Sequence, residues 1–292
     1  MSLEAAIPWS DALVRKAQQL EAQFAQRLVV LPDGAQLAVR ERPAAGEPVL
    51  TVVLLHGISS SAASWLDVAL ALRPDWRVLA WDAPGYGAST PLPAFRPRDT
   101  DYGARLGAWL AQDVQGPVVL VGHSLGALMV AACAAQQAPQ ALAGVLLLSP
   151  AGGYGSHEET AREKVRSDRN AALDTLGVAG LAQRIDQRLL SPGADALARE
   201  WVRWSTSRMQ ADGYRQAVNM LCDSDLGRHA PLPVLVSVAC GEHDVVTTPV
   251  ACRRWADAWQ VPFASIPDAG HASPGEQPGA VARWIESQAP RL

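Results

Sequence analysis

The stretch Pro117-Val118-Val119-Leu120-Val121-Gly122-His123-Ser124-Leu125-Gly126-Ala127-Leu128-Met129-Val130-Ala131 decides the fold. Its opening apolar run has the length and β-branched content of a buried strand, and its close reads as a buried helix. Between them Gly122-His123-Ser124-Leu125-Gly126 fits the pattern G-x-S-x-G, in which a serine sits at a sharp strand-to-helix turn. The outer glycines let two backbone segments pass close together, and the strained turn holds the serine hydroxyl clear of the sheet. A glycine-rich turn with a solvated serine is the plainer reading of such a pentapeptide. A strand before it and a helix after it favour a nucleophile.

Outward from this corner, short apolar runs alternate with helical stretches. Strands are predicted at Val49 to His56, Trp76 to Asp82, Pro117 to Val121, Gly144 to Ser149, Pro233 to Cys240 and Val261 to Ile266. Helices are predicted after Ala62 and over Asp99 to Gln112, Leu125 to Gln137, Pro249 to Trp259 and Pro274 to Gln288. Near-continuous Val/Leu runs suit a parallel sheet covered on both faces, and the alternation implies right-handed crossovers in a mostly parallel, doubly wound α/β sheet. Nearer the start, Arg27 to Leu31 and Gln36 to Arg40 flank Pro32-Asp33-Gly34 and read as an antiparallel hairpin. Ser10 can cap a helix over about residues 10–27, with Leu13, Ala17, Leu20, Phe24 and Leu28 on one face. The alternation stops over residues 151–230, which are helix-rich and dense in arginine. The expected organisation is therefore a core of residues 1–150 and 231–292 and an inserted helical cap over the carboxyl ends of the strands, where open α/β sheets bind ligands.

A chain of 292 residues, 49% hydrophobic and 18% charged, can bury a large core. A net charge of -4 and the lack of a lysine/arginine-rich run argue against nucleic acid or an anionic membrane as partner and leave a small-molecule substrate. Cys133, Cys222, Cys240 and Cys252 show no C-x-x-C spacing and read as small buried hydrophobes in a reducing compartment. The start Met1-Ser2-Leu3-Glu4 lacks the basic and apolar pattern of a secretion signal, and His123 and Ser124 interrupt the longest apolar region. The expected location is the cytoplasm. No metal or cofactor is expected, and the oligomeric state is left open.

A serine hydroxyl needs an imidazole to take its proton and a carboxylate to orient that imidazole. Of the six histidines, only His271 lies in a glycine-framed loop, Asp268-Ala269-Gly270-His271-Ala272, after the last strand and before the last helix. His56 ends a strand and is expected to tie backbone loops together, while His123 is expected to face away from the serine hydroxyl. The loop from Cys240 to Pro249 offers Glu242 and Asp244. Asp244 is the better acid, since Glu242 suits solvent or support of the turn and Asp268 suits local turn stabilisation. The order Ser124, Asp244, His271 is that of a nucleophile-elbow triad. The oxyanion formed on attack needs two backbone N–H donors, for which Leu125 and Ile58, the latter in the loop His56-Gly57-Ile58-Ser59-Ser60-Ser61, are the candidates.

Together these pieces resemble the α/β-hydrolase superfamily from about Leu28 onward. His56-Gly57 looks like the family's oxyanion-loop start, and Trp81-Asp82-Ala83-Pro84-Gly85-Tyr86-Gly87-Ala88-Ser89 is similar to its D-x-P-G-x-G-x-S turn. Asp212-Gly213-Tyr214-Arg215-Gln216-Ala217, Asp223-Ser224-Asp225-Leu226 and Gly270-His271-Ala272-Ser273 before Glu276-Gln277-Pro278 resemble the enol-lactone hydrolases of bacterial aromatic catabolism, close to the hydrolases of meta-cleavage products. The elbow departs from the former group at His123 and Leu125, and Ala272 stands where the latter commonly has tryptophan. The resemblance implies a capped serine esterase or lactonase that works through an acyl-enzyme. Carbon–carbon bond hydrolysis of a diketo acid is the alternative, and a non-catalytic ligand-binding homologue a more distant one. Ser124 disfavours the dehalogenases and epoxide hydrolases of this superfamily, which use aspartate. Of the cap arginines Arg162, Arg166, Arg184, Arg188, Arg203, Arg208 and Arg215, one facing the pocket would select an anionic substrate.

Overall fold

Strands buried along their whole length need helices on both faces, and the central runs Leu50–Leu55 and Val118–His123 are of this kind. Val53, Leu55, Val118 and Leu120 enter one core cluster, and Leu50, Val52, Leu54, Val119 and Val121 enter another, as the two-residue period of a strand dictates. The computed structural model describes residues 9–137 and 141–290. Its eight-stranded sheet comprises β1 (Ala25–Val30), β2 (Gln36–Arg42), β3 (Leu50–Leu55), β4 (Trp76–Trp81), β5 (Val118–His123), β6 (Leu142–Leu148), β7 (Leu235–Gly241) and β8 (Phe263–Ile266). The spatial order is β1-β2-β4-β3-β5-β6-β7-β8. Among the described residues, the strand pairs made by β2 are antiparallel and the others parallel.

The helices are α1 (Asp11–Gln23), α2 (Leu66–Ala71), α3 (Asp99–Asp113), α4 (Gly126–Gln137), α5 (Glu159–Leu189), α6 (Ala196–Ser207), α7 (Ala211–Asp223), α8 (Pro249–Trp259), α9 (Ser273–Glu276) and α10 (Pro278–Gln288). Among the described residues, no helix is long and apolar enough to cross a membrane. From β3 the chain moves outward to β4 and then crosses back over β3 to β5. The winding therefore reverses between β3 and β5, and a crevice opens beyond their carboxyl ends. Helices α5 to α7 interrupt the sheet between β6 and β7. Their entry and exit are stapled together, with Gly155 N–H donating to Ser224 O (2.7 Å) and Leu226 N–H to Gly152 O (2.9 Å).

Two predicted helices end elsewhere. The N-terminal helix, expected to about residue 27, stops at Gln23 because Phe24 leaves helical geometry and Ala25 to Val30 pair with β2. Ser10 caps its start by accepting from Leu13 N–H at 3.2 Å, but Leu28, expected on its buried face, is 51% exposed on β1. The predicted helix over Pro274 to Gln288 divides into α9 and α10 at Pro278, whose ring nitrogen has no hydrogen to continue the helix. All four cysteines are free and buried.

Candidate active site

Ser124 occupies the turn from β5 to α4 with a left-handed φ of 52°, strain of the kind a nucleophile elbow stores. The turn requires its glycines. A Cβ on Gly122 would lie 2.6 Å from Gly126 O, and one on Gly126 would lie 2.6 Å from Leu55 O at the end of β3. Ser124 N–H donates to Leu148 O at 3.0 Å, anchoring the corner to β6. The Ser124 side chain opens on a cavity of about 310 Å³ and has no hydrogen-bond partner among the described residues.

His271 lines the same cavity. Its Nδ1–H donates to Asp244 Oδ2 at 2.8 Å, in a pair buried to 5% and 0% side-chain exposure. A carboxylate only accepts, so the proton sits on Nδ1 and leaves Nε2 bare. Asp244 Oδ1 accepts from the N–H groups of Val246 (2.7 Å) and Thr247 (2.9 Å). Burial acts to raise the Asp244 pKa, but the hydrogen bond and charge of His271 with these two N–H groups outweigh it and hold the carboxyl at about 2. Glu242 is exposed and accepts from Asp268 N–H at 3.2 Å, so it supports the turn. Asp268, also exposed, stays at that turn.

Ile58 and Leu125 both line the cavity, from the loops after β3 and β5, and neither N–H is given to a protein acceptor among the described residues. His56 braces the first loop: Nδ1–H donates to Gly57 O (2.8 Å) and Nε2 accepts from Ala83 N–H (3.0 Å). This is the loop-tying role expected of it. His123 also reaches the site. Its Nε2–H donates to His271 O at 2.8 Å and the two rings lie 4.9 Å apart, so it holds the backbone of the histidine loop. Burial first, and then the neighbouring His271, lowers the His123 pKa to about 3 and keeps the ring neutral.

Three contributors have no signature in the sequence. Tyr86, in the turn after β4, donates its hydroxyl to Ile58 O at 2.7 Å. Thr247 Oγ1 lies 3.0 Å from Asp244 Oδ2, 3.0 Å from Ser149 O and 3.2 Å from His271 Nδ1. Arg169, in α5, lines the cavity together with Arg188. Among the described residues the one grouping with metal-ligand chemistry is Glu242, His243 and Asp268, all exposed and none lining the cavity.

A strained serine, a histidine bound to a buried carboxylate and a cavity at the reversal point of a mostly parallel sheet define the class, a hydrolase of the α/β type. The chain belongs to the alpha/beta hydrolase family, whose model matches residues 52–284. Over 110 residues it is 30% identical to phospholipase YtpA of Bacillus subtilis (strain 168), a match spanning 36% of this chain and only 42% of that relative. Similar solved structures include the enol-lactonase from Burkholderia xenovorans LB400 (TM-score 0.77, 23% identity, 89% of this chain and 98% of that one). Another is a malate-bound thermophilic esterase from Thermogutta terrifontis (TM-score 0.76, 22% identity, 90% and 97% covered). At these identities the likeness is one of fold.

Proposed function

We propose that the protein is a cofactor-free serine hydrolase that cleaves a small carboxylic ester or lactone through an acyl-enzyme, with α5 to α7 as its cap. The observation that carries this reading is the buried Asp244–His271 hydrogen bond beside the strained Ser124. Ser124 Oγ attacks the substrate carbonyl carbon as His271 Nε2 takes its proton, and Asp244 stabilises the imidazolium that forms. The N–H groups of Ile58 and Leu125 receive the oxyanion. Collapse expels the alkoxide, which takes the proton from His271. Water, activated by the same imidazole, then releases the acid and restores Ser124. The esterase and lactonase named among the similar structures support this class of substrate.

A fluorophosphonate probe should label wild-type protein at Ser124. Ser124→Ala should fold normally and lose on the order of a millionfold in turnover of a short ester, keeping a residue of oxyanion-hole catalysis. Near wild-type hydrolysis by Ser124→Ala, measured beside its circular dichroism spectrum, overturns the assignment.

A further inference from the structure

The cavity carries a charge pattern that acyl transfer does not require. Several arginines of the helical insertion are neutralised by acids, Arg166 by Asp223 (2.7 Å) and Glu163 (3.1 Å), Arg203 by Asp186 (3.1 Å), and Arg215 by Asp174, while Arg208 lies over the ring of Trp204 and Arg184 is exposed outside the cavity. Arg169 and Arg188 have no ion-pair partner among the described residues, and both line the cavity that holds Ser124 and His271. Among the described residues no aspartate or glutamate lines it. The carboxylate of Asp244, outside the cavity lining, is engaged by His271.

The backbone brings the two arginines together. Both belong to α5, nineteen residues apart in sequence, and a straight helix would separate them by roughly 28 Å along its axis. The helix instead breaks at Gly177, where φ is 62° and ψ 177°, so that its two parts border one cavity. Arg169 is half-buried and Arg188 is exposed. A partly desolvated guanidinium without an acid favours an anion, and its planar fork matches the two oxygens of a carboxylate.

We propose that Arg169, assisted by Arg188, forms a carboxylate-recognition subsite, so that the preferred substrate is an ester or lactone whose acyl portion carries a free carboxylate. This substrate class rests on the serine hydrolase reading, while the subsite itself is a matter of binding. The positive wall raises the local concentration of the anion, and Arg169 orients it with the scissile carbonyl toward Ser124.

Monomethyl succinate and methyl butyrate differ only by a carboxylate in place of a methyl group, and proton release follows the hydrolysis of both. Wild-type enzyme should favour the succinate half-ester by at least about tenfold in kcat/KM, and Arg169→Gln should lower that ratio by roughly 10- to 100-fold, the worth of one charged hydrogen bond. Arg188→Gln should lower it by less. Arg184→Gln, whose arginine is exposed and does not line the cavity, should leave the ratio at its wild-type value. A second measurement avoids turnover: Ser124→Ala should bind succinamate more tightly than butyramide by calorimetry, and the added change Arg169→Gln should remove the difference. Equal use of the two esters, or a ratio indifferent to Arg169→Gln, overturns the subsite and leaves the hydrolase reading intact. An unlabelled Ser124 with Arg169-dependent binding of succinamate overturns the hydrolase reading and leaves the subsite standing.

Discussion

Asp244 is ionised against its own burial, and the cost is met by one imidazole N–H and two backbone N–H groups. Its geometry selects the histidine tautomer. With an amide in its place, the Nδ1 proton of His271 loses its charged acceptor, and the tautomer with a bare Nε2 is no longer favoured. Asp244→Asn should therefore reduce kcat by roughly ten-thousandfold, as removal of the orienting carboxylate does in serine proteases. Glu242→Gln should change kcat by no more than a few-fold, since Glu242 touches only the Asp268 turn. Steady-state kinetics on one neutral ester checks both, and the reverse ordering would transfer the orienting role to Glu242.

At the scale of the element, α5 is the segment whose shape decides the cavity. Gly177 has nothing among the described residues within 4 Å of where a Cβ would stand, so a methyl group there meets none of them. Its backbone conformation is nonetheless one that essentially only glycine adopts. Gly177→Ala should thus act through the backbone alone, costing about 1–3 kcal/mol of stability or relaxing the break toward a continuous helix. Relaxation would carry Arg188 away from Arg169. The expected result is a lower melting temperature together with a reduced preference for monomethyl succinate over methyl butyrate. An unchanged melting temperature and preference would show that the break does not depend on glycine.

Across the whole molecule, α1 links the core to the helical insertion. Lys16 pairs with Asp67 of α2 and lies 4.8 Å above the ring of Trp201 in α6, and Ser10 bonds Glu200 of the same helix. Trp201 lines the cavity, so the site is shaped by three parts of the chain at once. Two buried neutral histidines, His56 and His123, set how the fold responds to acid, since burial lowers both pKa values, that of His123 to about 3. The unfolded chain binds protons at these rings from about pH 6.5 downward while the folded chain does not, so stability falls with pH below that value. Asp244 acts in the same direction at lower pH: its lowered pKa adds stability that is complete above about pH 4 and is lost as pH falls toward 2. His123, with its folded pKa at about 3, contributes a slope of up to about 1.4 kcal/mol per pH unit between about pH 6 and 4, and His123→Asn should flatten the dependence of urea-unfolding free energy on pH by about that amount. An unaltered slope would show that His123 is protonated in the folded state.

Features that neighbours along the chain encode were legible without coordinates: the elbow around Ser124, the strand periods, the turn at Pro32-Asp33-Gly34, and His271 in its glycine-framed loop. The sheet class followed because continuous Val/Leu runs must be covered on both faces, and the loop positions of Asp244 and Ile58 followed from the alternation. Where segments distant in sequence meet depends on packing. The apolar spacing of α1 runs on through Leu28, yet Ala25 to Val30 pair with β2, because a ladder of non-local hydrogen bonds outweighs a local helical preference. His123 was expected to face away from the serine hydroxyl, and its partner is the backbone of a loop 148 positions later. Tyr86 stands at a position that the D-x-P-G-x-G-x-S turn leaves free, and Thr247 carries no motif, since both gain their places from contacts across the fold. Arg169 carries no motif either: it borders the cavity together with Arg188 because α5 breaks at Gly177, an arrangement that exists only once the helices have packed.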